Sequence, residues 1–552
     1  MKLIRLKILE EYRSLKPAGF EIKFRNNQLN DELSEFHPFC LAGLNGSGKS
    51  NVLEALSNIF YHLECCTNGY PKYAFSRNES SPNAYELEYL ILGSTGNQNL
   101  QDLLRIKVSK SIGNIPKLSI NDGDEIEVSQ TFGSSCLPDL VVAYSSGENE
   151  TLSLPFVKMK LFQYDEYLRD FIGKNVYERP KSSLLYIDYE MSQAVLLTIL
   201  LFFDEDVLKP LDTELGIKGI QQFTVNLKNN WQKILSVDES EIQAQTVVDE
   251  DYYLDKEEKS KYRGRILDHL AEQIKKLKEC ATCSYIKDDF MSLDFWVDEN
   301  TKKQIRRRFK GDPYKFFSVF QMLQALNERV EDIAEKKEIY NSKGYYTDYK
   351  RPEYSWFFYF TDYFITAENK KTKEIKNLLL KQLSDGEQQF LHTLGICLML
   401  QNKRTLLLLD EPETHFNPDW RSKFINVLRK TLHAGGDKFL LKDIVLTSHS
   451  PFLISDCLPD KVIQFRKTEQ GVEAINARDL NFKTFGAGVD YILQKFFNVK
   501  SLVSEYSKEW IKNVIKNGTD NELREAIDFV GESNLKQFLF SELYKRSKDA
   551  DN

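Results

Sequence analysis

The sequence has no apolar run long enough to cross a membrane. Its longest, residues 194–203, contains Thr198 and ends before Asp204, whereas a membrane-spanning helix needs about 20 mostly apolar residues. The opening residues, MKLIR, resemble the start of a strand and not an export signal. Eight cysteines without such a signal indicate reduced thiols. We therefore expect a cytoplasmic protein that does not itself enter a membrane.

Proline and glycine are also scarce, and the chain has no excess of positive charge. The 552 residues include 15 Pro and 26 Gly, a proportion too low to indicate long disordered tails. The formal net charge of −8 argues against a generic nucleic-acid binder, although it leaves room for a local basic patch. A chain of this length has room for about three or four domains.

The most informative stretch present is residues 43–50, GLNGSGKS, placed between an apolar run at 38–42 and a helical pattern at 51–56. Backbone N–H groups of such a loop point at phosphate oxygens, and the following helix N-terminus favours an anion. Lys49 supplies charge to the β- and γ-phosphates, and the Ser50 hydroxyl faces Mg²⁺. The predicted ATP-binding residues are Gly43, Asn45, Gly46, Ser47, Gly48, Lys49, Ser50 and Asn51.

Two later strands end in polar residues suited to the same chemistry. Residues 406–411, LLLLDE, read as a buried parallel strand with two carboxylates at its end. Asp410 can hold Mg²⁺ through water, and Glu411 can act as general base on the attacking water. Another apolar strand leads into TSHSP, where His449 can hydrogen-bond a terminal phosphate or that water. We predict Glu411 and His449 as catalytic residues and Asp410 as a metal ligand.

A third element, LSDGEQQ at 383–389, stands directly before the acidic strand. Ser384 occupies the position of a helix N-cap, and Gly386 permits close approach of the backbone to a ligand. The structural alternative is a capping box, because Glu387 follows Ser384 by three residues. We favour an anion-binding role for Ser384 and Gly386, because a helix that begins here presents free N–H groups.

Together these four motifs resemble those of the ABC-type ATPases related to SMC, RecF and the OLD-family ATPase domain. GLNGSGKS resembles Walker A, LSDGEQQ the signature, LLLLDEPETHFNP the Walker B and D-loop, and TSHSPFLISD the switch-histidine motif. The layout, with YSSGENE at 144–150 and a short helical tail, is similar to the PtuA-type ATPases of Septu antiphage systems in their retron-associated form.

The resemblance implies a shared nucleotide site. ATP and Mg²⁺ would lie between Walker A of one subunit and the signature of another, so Ser384 and Gly386 would act on a second copy of the chain. Arg13 matches a basic position that approaches phosphates in SMC-like relatives. Gln193 is a candidate for the metal-binding Q-loop glutamine. Asp385 replaces the glycine that is commoner at its signature position.

The resemblance also implies partners. These are further copies of the chain, a separate HNH-type nuclease, and a retron reverse transcriptase with its RNA–DNA product, msDNA. We find no TOPRIM or HNH constellation in the sequence, and so expect an ATPase without nuclease activity of its own. The alternatives are a RecF- or SMC-like DNA-repair clamp and, with a poorer fit of the motifs, a transport ATPase that works with a separate membrane protein.

The expected fold class is α/β, a two-lobed ABC-type P-loop ATPase head around a mixed or parallel sheet. We assign lobe I to 1–190, a mainly helical insertion to 191–350, lobe II to 351–470, and a helical C-terminal region with partner docking to 471–552. Helical periodicity in 191–350, such as Phe316, Phe320 and Leu323, supports the insertion.

Three further signals have competing explanations. Tyr144–Glu148 resembles a second signature, but we interpret it as a strand-to-helix turn near the nucleotide. Cys280 and Cys283 form a single C-x-x-C, and buried free thiols explain it better than zinc, which needs about four ligands. The basic run Lys302–Lys310 is either a solvated helix end or a contact to a nucleic-acid backbone.

Overall fold

The computed structural model describes most of the chain, in two compact units, 1–485 and 486–552. The described residues are 1–16, 19–25, 35–68, 75–93, 102–129, 132–147, 149–170, 183–229, 270–328, 338–342, 356–369, 372–400, 403–434 and 442–550. The predicted α/β class is confirmed, because three sheets and many helices alternate along the chain.

The strands, numbered in chain order, are β1 Lys2–Ile8, β2 Phe20–Lys23, β3 Phe39–Gly43, β4 Tyr85–Leu92, β5 Leu103–Lys110, β6 Lys117–Ile120, β7 Ile126–Glu127, β8 Leu140–Ser145, β9 Leu184–Tyr186, β10 Ile217–Lys228, β11 Cys283–Lys287, β12 Phe290–Trp296, β13 Phe358–Glu368, β14 Ile375–Leu379, β15 Thr405–Asp410, β16 Lys442–Ser448, β17 Val462–Thr468 and β18 Gly471–Asn476.

The helices of the first unit are α1 Lys49–Asn68, α2 Glu150–Asp170, α3 Tyr189–Phe202, α4 Glu205–Leu215, α5 Glu299–Arg308, α6 Pro313–Ala325, α7 Asp385–Met399, α8 Pro418–Ala434 and α9 Pro451–Ser455. Residues 270–280 and 338–341 are helical as well. Short 3₁₀ turns occur at Ser134–Cys136, Leu326–Glu328, Leu380–Gln382 and Pro459–Lys461.

The central sheet has seven strands in the order β18-β17-β3-β16-β15-β8-β9. All neighbouring pairs run parallel except β17 and β18. The middle strands β3, β15 and β16 are buried along their whole length. This burial explains the apolar runs at 406–409 in β15 and 444–446 in β16. Since parallel strands end at the same edge, the residues that follow β3, β16, β15 and β8 come together there.

Two antiparallel sheets accompany the central one. The first has six strands in the order β2-β1-β4-β5-β6-β7, and its core is continuous with that beneath the central sheet. The second has five strands in the order β11-β12-β10-β13-β14. Asp443 at the start of β16 accepts hydrogen bonds from both Arg25 terminal nitrogens and from the Leu3 backbone, which links the β1 segment to the central sheet.

The range 191–350 contains more strand than its helical periodicity predicts. Helix α6 confirms the stripe of Phe316, Phe320 and Leu323, all fully buried. However, β10, β11 and β12 also fall in this range. They form one sheet with β13 and β14 from beyond it, in which β10 pairs with β12 and β13. The physical reason is that β10 pairs on both sides, so ladder hydrogen bonds outweigh local propensity. The lobe and insertion boundaries therefore stay predictions.

The second unit is helical, as expected for the C-terminal region, but it begins at Gly486. Its helices are α10 Val489–Lys495, α11 Glu505–Asn517, α12 Asp520–Phe529 and α13 Asn534–Ala550. They enclose a small core of Ile511, Leu523, Ala526 and Leu539. Residues 471–476 instead form the edge strand β18 of the central sheet. No helix within the described ranges combines the length and apolar character that crossing a bilayer requires.

Candidate nucleotide site

The loop between β3 and α1 adopts the tight turn that its glycines predict. Gly46 and Gly48 have φ angles of 71° and 94°, in the left-handed region that glycine adopts without strain. A Cβ at Gly48 would lie 2.8 Å from Ser14 Oγ, so the turn at residues 12–15 packs directly on the loop. Asn45 and Gly46 are exposed at its tip, whereas Ser47 is buried and its hydroxyl has no hydrogen-bond partner among the described residues.

Lys49 lies inside this loop. Its ammonium donates to the carbonyl oxygens of Gly43, at 2.9 Å, and Leu44, at 3.1 Å. Burial lowers the pKa of Lys49 from its ordinary value. A buried cation that is bonded only to neutral carbonyls in the loop is a suitable partner for an anion.

Two other predicted binding residues belong to or contact the turn at 12–15. The Asn51 side-chain oxygen accepts hydrogen bonds from the Ser14 hydroxyl and backbone, and its amide donates to Glu54 Oε2 at 3.0 Å. Arg13 Nε donates to Glu54 Oε1 at 2.8 Å. Arg13 also has a φ of 53°. Asn51 and Arg13 are therefore held beside the loop by Glu54, in one network that fixes the start of α1.

Asp410 joins three elements at the edge of the central sheet. Its Oδ1 accepts from the Ser50 hydroxyl at 2.8 Å and the Thr447 hydroxyl at 2.7 Å. Its Oδ2 accepts from Asn149 Nδ2 at 2.7 Å. The structure thus brings the phosphate loop, the acidic strand and the strand before His449 together, as the parallel topology predicts.

The residues at this point fit a magnesium ion. The ion prefers oxygen ligands and commonly takes one or two carboxylates with substrate phosphates. Here the Ser50 hydroxyl and the Asp410 carboxylate lie within hydrogen-bond distance of each other at the end of the phosphate loop. Ser50 and Asp410 would hold the ion, which would neutralise charge on the phosphates of a bound nucleotide.

Glu411 directly follows β15 and His449 directly follows β16, and their side chains face each other. The distance from His449 Nδ1 to Glu411 Oε1 is 3.1 Å. This hydrogen bond lowers the pKa of Glu411 and raises that of His449. Glu411 has a φ of 48°, a strained conformation for a non-glycine residue, and its backbone N–H is held by the Thr447 hydroxyl at 3.0 Å. The pair is arranged so that an ionised carboxylate and a histidine can orient one water molecule.

Asn149 is a site residue that sequence reasoning missed. It follows β8 in the segment whose first residues we interpreted as a turn near the nucleotide, and the described part of that turn contacts the acidic strand. Ser146 N donates to Asp410 O at 3.2 Å, and the Ser146 hydroxyl donates to Thr414 Oγ1 at 3.0 Å. Glu148 lies outside the described residues. The sequence offered one signal for Asn149, a run of polar residues directly after a strand. The resemblance of this run to a second signature motif pointed to a different role.

Gln193 occupies a different place. It lies near the start of α3 and is half-buried. Within the described ranges, Gln193 has no hydrogen bond to Ser50 or Asp410, whereas Asn149 does bond Asp410. The assignment of Gln193 to the metal stays a prediction, and Asn149 is a competing residue for that role.

Replacing Asn149 tests whether Asn149 or Gln193 supports the metal ion. Its side-chain oxygen also caps α2 by accepting from Leu152 N at 3.1 Å, so Asn149→Ala would lose the cap as well. Asn149→Ser keeps a capping hydroxyl but is too short to bond Asp410. We expect Asn149→Ser to lower Mg²⁺-dependent ATP hydrolysis about tenfold or more, in the range seen when a ligand's supporting partner is removed. The measurement is initial rate against Mg²⁺ concentration.

Gln193→Ala is the matched control for that experiment. The geometry predicts a smaller effect for Gln193→Ala than for Asn149→Ser. If Gln193→Ala alone raised the Mg²⁺ requirement, the sequence-based assignment would be correct and the competing role of Asn149 would be wrong.

Ser384 and Gly386 lie at the start of α7, where Ser384 is exposed and Gly386 is buried. Ser384 forms the capping box with Glu387, with Ser384 N to Glu387 Oε2 at 2.8 Å. A Cβ at Gly386 would lie 2.6 Å from the His415 carbonyl oxygen, so the glycine permits close packing of α7 on the segment after β15. Among the described residues, no hydrogen bond joins Ser384 or Gly386 to the loop 43–50. Both the structural and the anion-binding interpretation therefore remain compatible with their positions.

The cysteines show no metal site in the described ranges. No cluster of three or more His, Cys, Asp or Glu side chains there could hold an ion. Cys280 and Cys283 are both free, but only Cys280 is buried. The expectation of a buried thiol is wrong for Cys283, because this residue lies on the exposed edge strand β11. His62 bonds the Ser76 carbonyl oxygen at 3.0 Å beside Cys66, and burial lowers the pKa of His62 to about 4.

The comparison with protein families agrees with this geometry. Residues 228–455 match the family described as "AAA domain, putative AbiEii toxin, Type IV TA system". The matched range, less than half of the chain, contains Ser384, Asp410, Glu411 and His449 and begins after the phosphate loop. No curated protein matches the chain. The family match supports the assignment of this chain to a P-loop ATPase family, of which ATP and Mg²⁺ are the usual nucleotide and metal.

Proposed function

We propose that this chain is the ATP-hydrolysing regulatory subunit of a bacterial antiphage defence complex. It controls a separate HNH-type nuclease and works with a retron reverse transcriptase and its RNA–DNA product. The observation that carries the ATPase part is the common sheet edge at which Lys49, Asp410, Glu411 and His449 gather. The defence part rests on the similarity of the layout, with YSSGENE at 144–150 and the helical tail after SHSPFLISD, to Septu-type ATPases. The matching family's description as a putative toxin of a type IV system is compatible with it.

In this proposal, ATP switches the assembly between two states. The loop of one copy holds the triphosphate, and Ser384 and Gly386 of a second copy complete the site. A ligand shifts a conformational equilibrium only by its difference in affinity for the two states. ATP therefore favours the closed assembly, and hydrolysis by Glu411 and His449 returns it to the open one. The nuclease is held in one state and released or licensed in the other.

Phage challenge of cells that carry the chain with its neighbouring genes tests the proposal. The expected neighbours are a small HNH protein and a reverse transcriptase, and the complete set is expected to protect against phage. Lys49→Ala in that set is expected to lose protection. Protection by the Lys49→Ala set, or replication genes in place of the nuclease, would contradict the proposal. A neighbouring membrane permease would favour a transport ATPase.

A second candidate, a DNA-repair clamp of the RecF or SMC class, is favoured by the surface of α5. The described residues offer no ion-pair partner to Lys303, Arg307 and Lys310, which are exposed. The other cations of this run are engaged: Lys302 with Glu299, Arg306 with Asp204, and Arg308 with Glu279. Lys303 and Arg307 are four residues apart and lie near one face of α5, and Lys310 follows three residues later, just past the end of the helix. In these positions the three side chains can contact a phosphate backbone.

Charge reversal measures that contact. We expect Lys303→Glu, Arg307→Glu and Lys310→Glu together to weaken binding of duplex DNA or an RNA–DNA hybrid. Each phosphate contact removed would reduce the salt dependence by a slope of about 1. Lys512→Glu with Lys516→Glu, exposed lysines on α11, is the control. An equal loss in the control would show a non-specific charge effect. ATPase activity that DNA stimulates without a nuclease would favour the clamp.

A further inference from the structure

A buried acid lies directly behind the Glu411–His449 pair. Glu413 is 3% exposed, and its Oε1 accepts a hydrogen bond from the Ser448 hydroxyl. Its other carboxyl oxygen, Oε2, has no hydrogen-bond partner among the described residues, and no cation there pairs with it. Burial raises the pKa of Glu413 to about 7. A buried carboxyl oxygen without a hydrogen-bond partner lowers the free energy of unfolding, so its presence beside this site calls for a functional explanation.

Ser448, the hydrogen-bond partner of Glu413, directly precedes His449 in the sequence. The Ser448 hydroxyl donates to Glu413 and at the same time accepts from the Ser450 backbone N–H at 2.9 Å. A hydroxyl has one donor and two acceptor positions, so it can make both bonds. These bonds fix the backbone on both sides of His449, whose own side chain is half-exposed and touches Glu411.

The backbone of Glu413 is anchored as well. Its carbonyl oxygen accepts from Phe416 N at 3.0 Å and from Arg421 Nε at 3.3 Å. The segment after β15 and the end of β16 are joined at two points: Glu411 N donates to Thr447 Oγ1, and the Ser448 hydroxyl donates to Glu413 Oε1. The backbone of Ser448 also pairs with Ala42 of β3. Loss of the second point would therefore free the Ser448 side chain next to His449 while the strand stays paired.

We propose that Glu413 is a positioning residue for hydrolysis, which acts through Ser448 to hold His449 against Glu411. This inference rests on the proposed ATPase function. Glu413 itself does not touch the nucleotide. Its contribution is to keep the histidine in hydrogen-bond reach of the carboxylate before the nucleotide binds, so that no reorganisation is needed during the reaction.

Steady-state kinetics of four proteins test the proposal: wild type, Glu413→Gln, Glu413→Ala and Ser448→Ala. We expect Glu413→Ala and Ser448→Ala to lower kcat about tenfold to a hundredfold, the usual cost of losing a supporting partner, with an unchanged KM for ATP. Glu413→Gln keeps an acceptor oxygen for Ser448 and is expected to retain most activity. A fifth protein, Glu413→Ala combined with Ser448→Ala, is expected to lose no more activity than Ser448→Ala alone, because Ser448→Ala already removes the contact to Glu413.

A second readout does not depend on hydrolysis. Selective labelling of the seven histidines allows the pKa of His449 to be followed by NMR, with assignment by a His449→Gln variant. Since contact with Glu411 raises this pKa, we expect it to fall in Ser448→Ala and in Glu413→Ala, and to stay raised in Glu413→Gln.

The outcomes separate the two proposals. A wild-type chain that binds but does not hydrolyse ATP would contradict the proposed function, while the histidine titration would still test the positioning. Folded Glu413→Ala with wild-type kcat and an unchanged His449 pKa would overturn the inference. So would a Glu413→Gln variant as impaired as Glu413→Ala, because the acceptor oxygen would then not be what matters.

Discussion

A Lys49→Ala variant is expected to lose ATP binding by at least about a hundredfold. Charge-assisted hydrogen bonds contribute about 1.5–3 kcal/mol each, and more than one to the triphosphate would be lost. The ammonium now bonds the Gly43 and Leu44 carbonyl oxygens from inside the loop. No other lysine of the described chain bonds those two carbonyl oxygens, so none compensates for its removal.

Calorimetric titration with ATP and Mg²⁺ measures the effect. Lys23→Ala, an exposed lysine on β2, is the matched control and is expected to bind as wild type does. A thermal melt of Lys49→Ala must accompany the titration, because two loop carbonyls lose their donor. A well-folded variant with wild-type affinity would remove the basis for a phosphate-binding role of this loop.

Glu411→Gln is expected to lower the rate of ATP hydrolysis by about 10²–10⁴, the typical contribution of a positioned general base. Glutamine has the same shape and can still contact His449, but it cannot accept the proton of the attacking water. The Thr447 contact to the backbone of residue 411 is unaffected. ATP binding should therefore remain while the chemical step is lost.

Single-turnover hydrolysis with excess protein isolates that step. Glu413→Gln is a close control, because it neutralises a carboxyl two residues away and is expected to retain most activity. If Glu411→Gln hydrolysed ATP at the wild-type rate, the base would have to be another group, and His449 would be the next candidate.

The edge of the central sheet was predictable because its signals are local and independent of one another. Strands β15 and β16 each contain an apolar run that ends in polar residues, and the apolar β3 leads into the phosphate loop. Parallel strands of this kind share one edge. The spacing of the glycines, Lys49 and Ser50 is a local sequence signal for a phosphate loop. The contact from Ser50 to Asp410, 360 positions apart, follows from these two facts.

Other features depend on contacts that a linear pattern does not encode. Asn149 caps α2 and bonds Asp410 with opposite ends of one amide, and only the pairing of β8 with β15 brings it there. Strands β10 to β12 lie in a charged region whose helical stretches dominate the periodicity. Of these strands, β10 pairs with β13 across a long interval of sequence, and β12 pairs with β10. The buried Glu413 looks in the sequence like one of several acidic residues.

We propose that this sheet edge forms half of a nucleotide site, which a second copy of the chain completes through Ser384. Sedimentation velocity of Glu411→Gln, with and without ATP and Mg²⁺, measures this association, with Glu411→Gln plus Ser384→Arg as the comparison. We expect a larger species for Glu411→Gln only when ATP is present, and its loss on adding Ser384→Arg. One unchanged sedimentation coefficient in all conditions, while ATP is bound, would mean that no second copy completes the site.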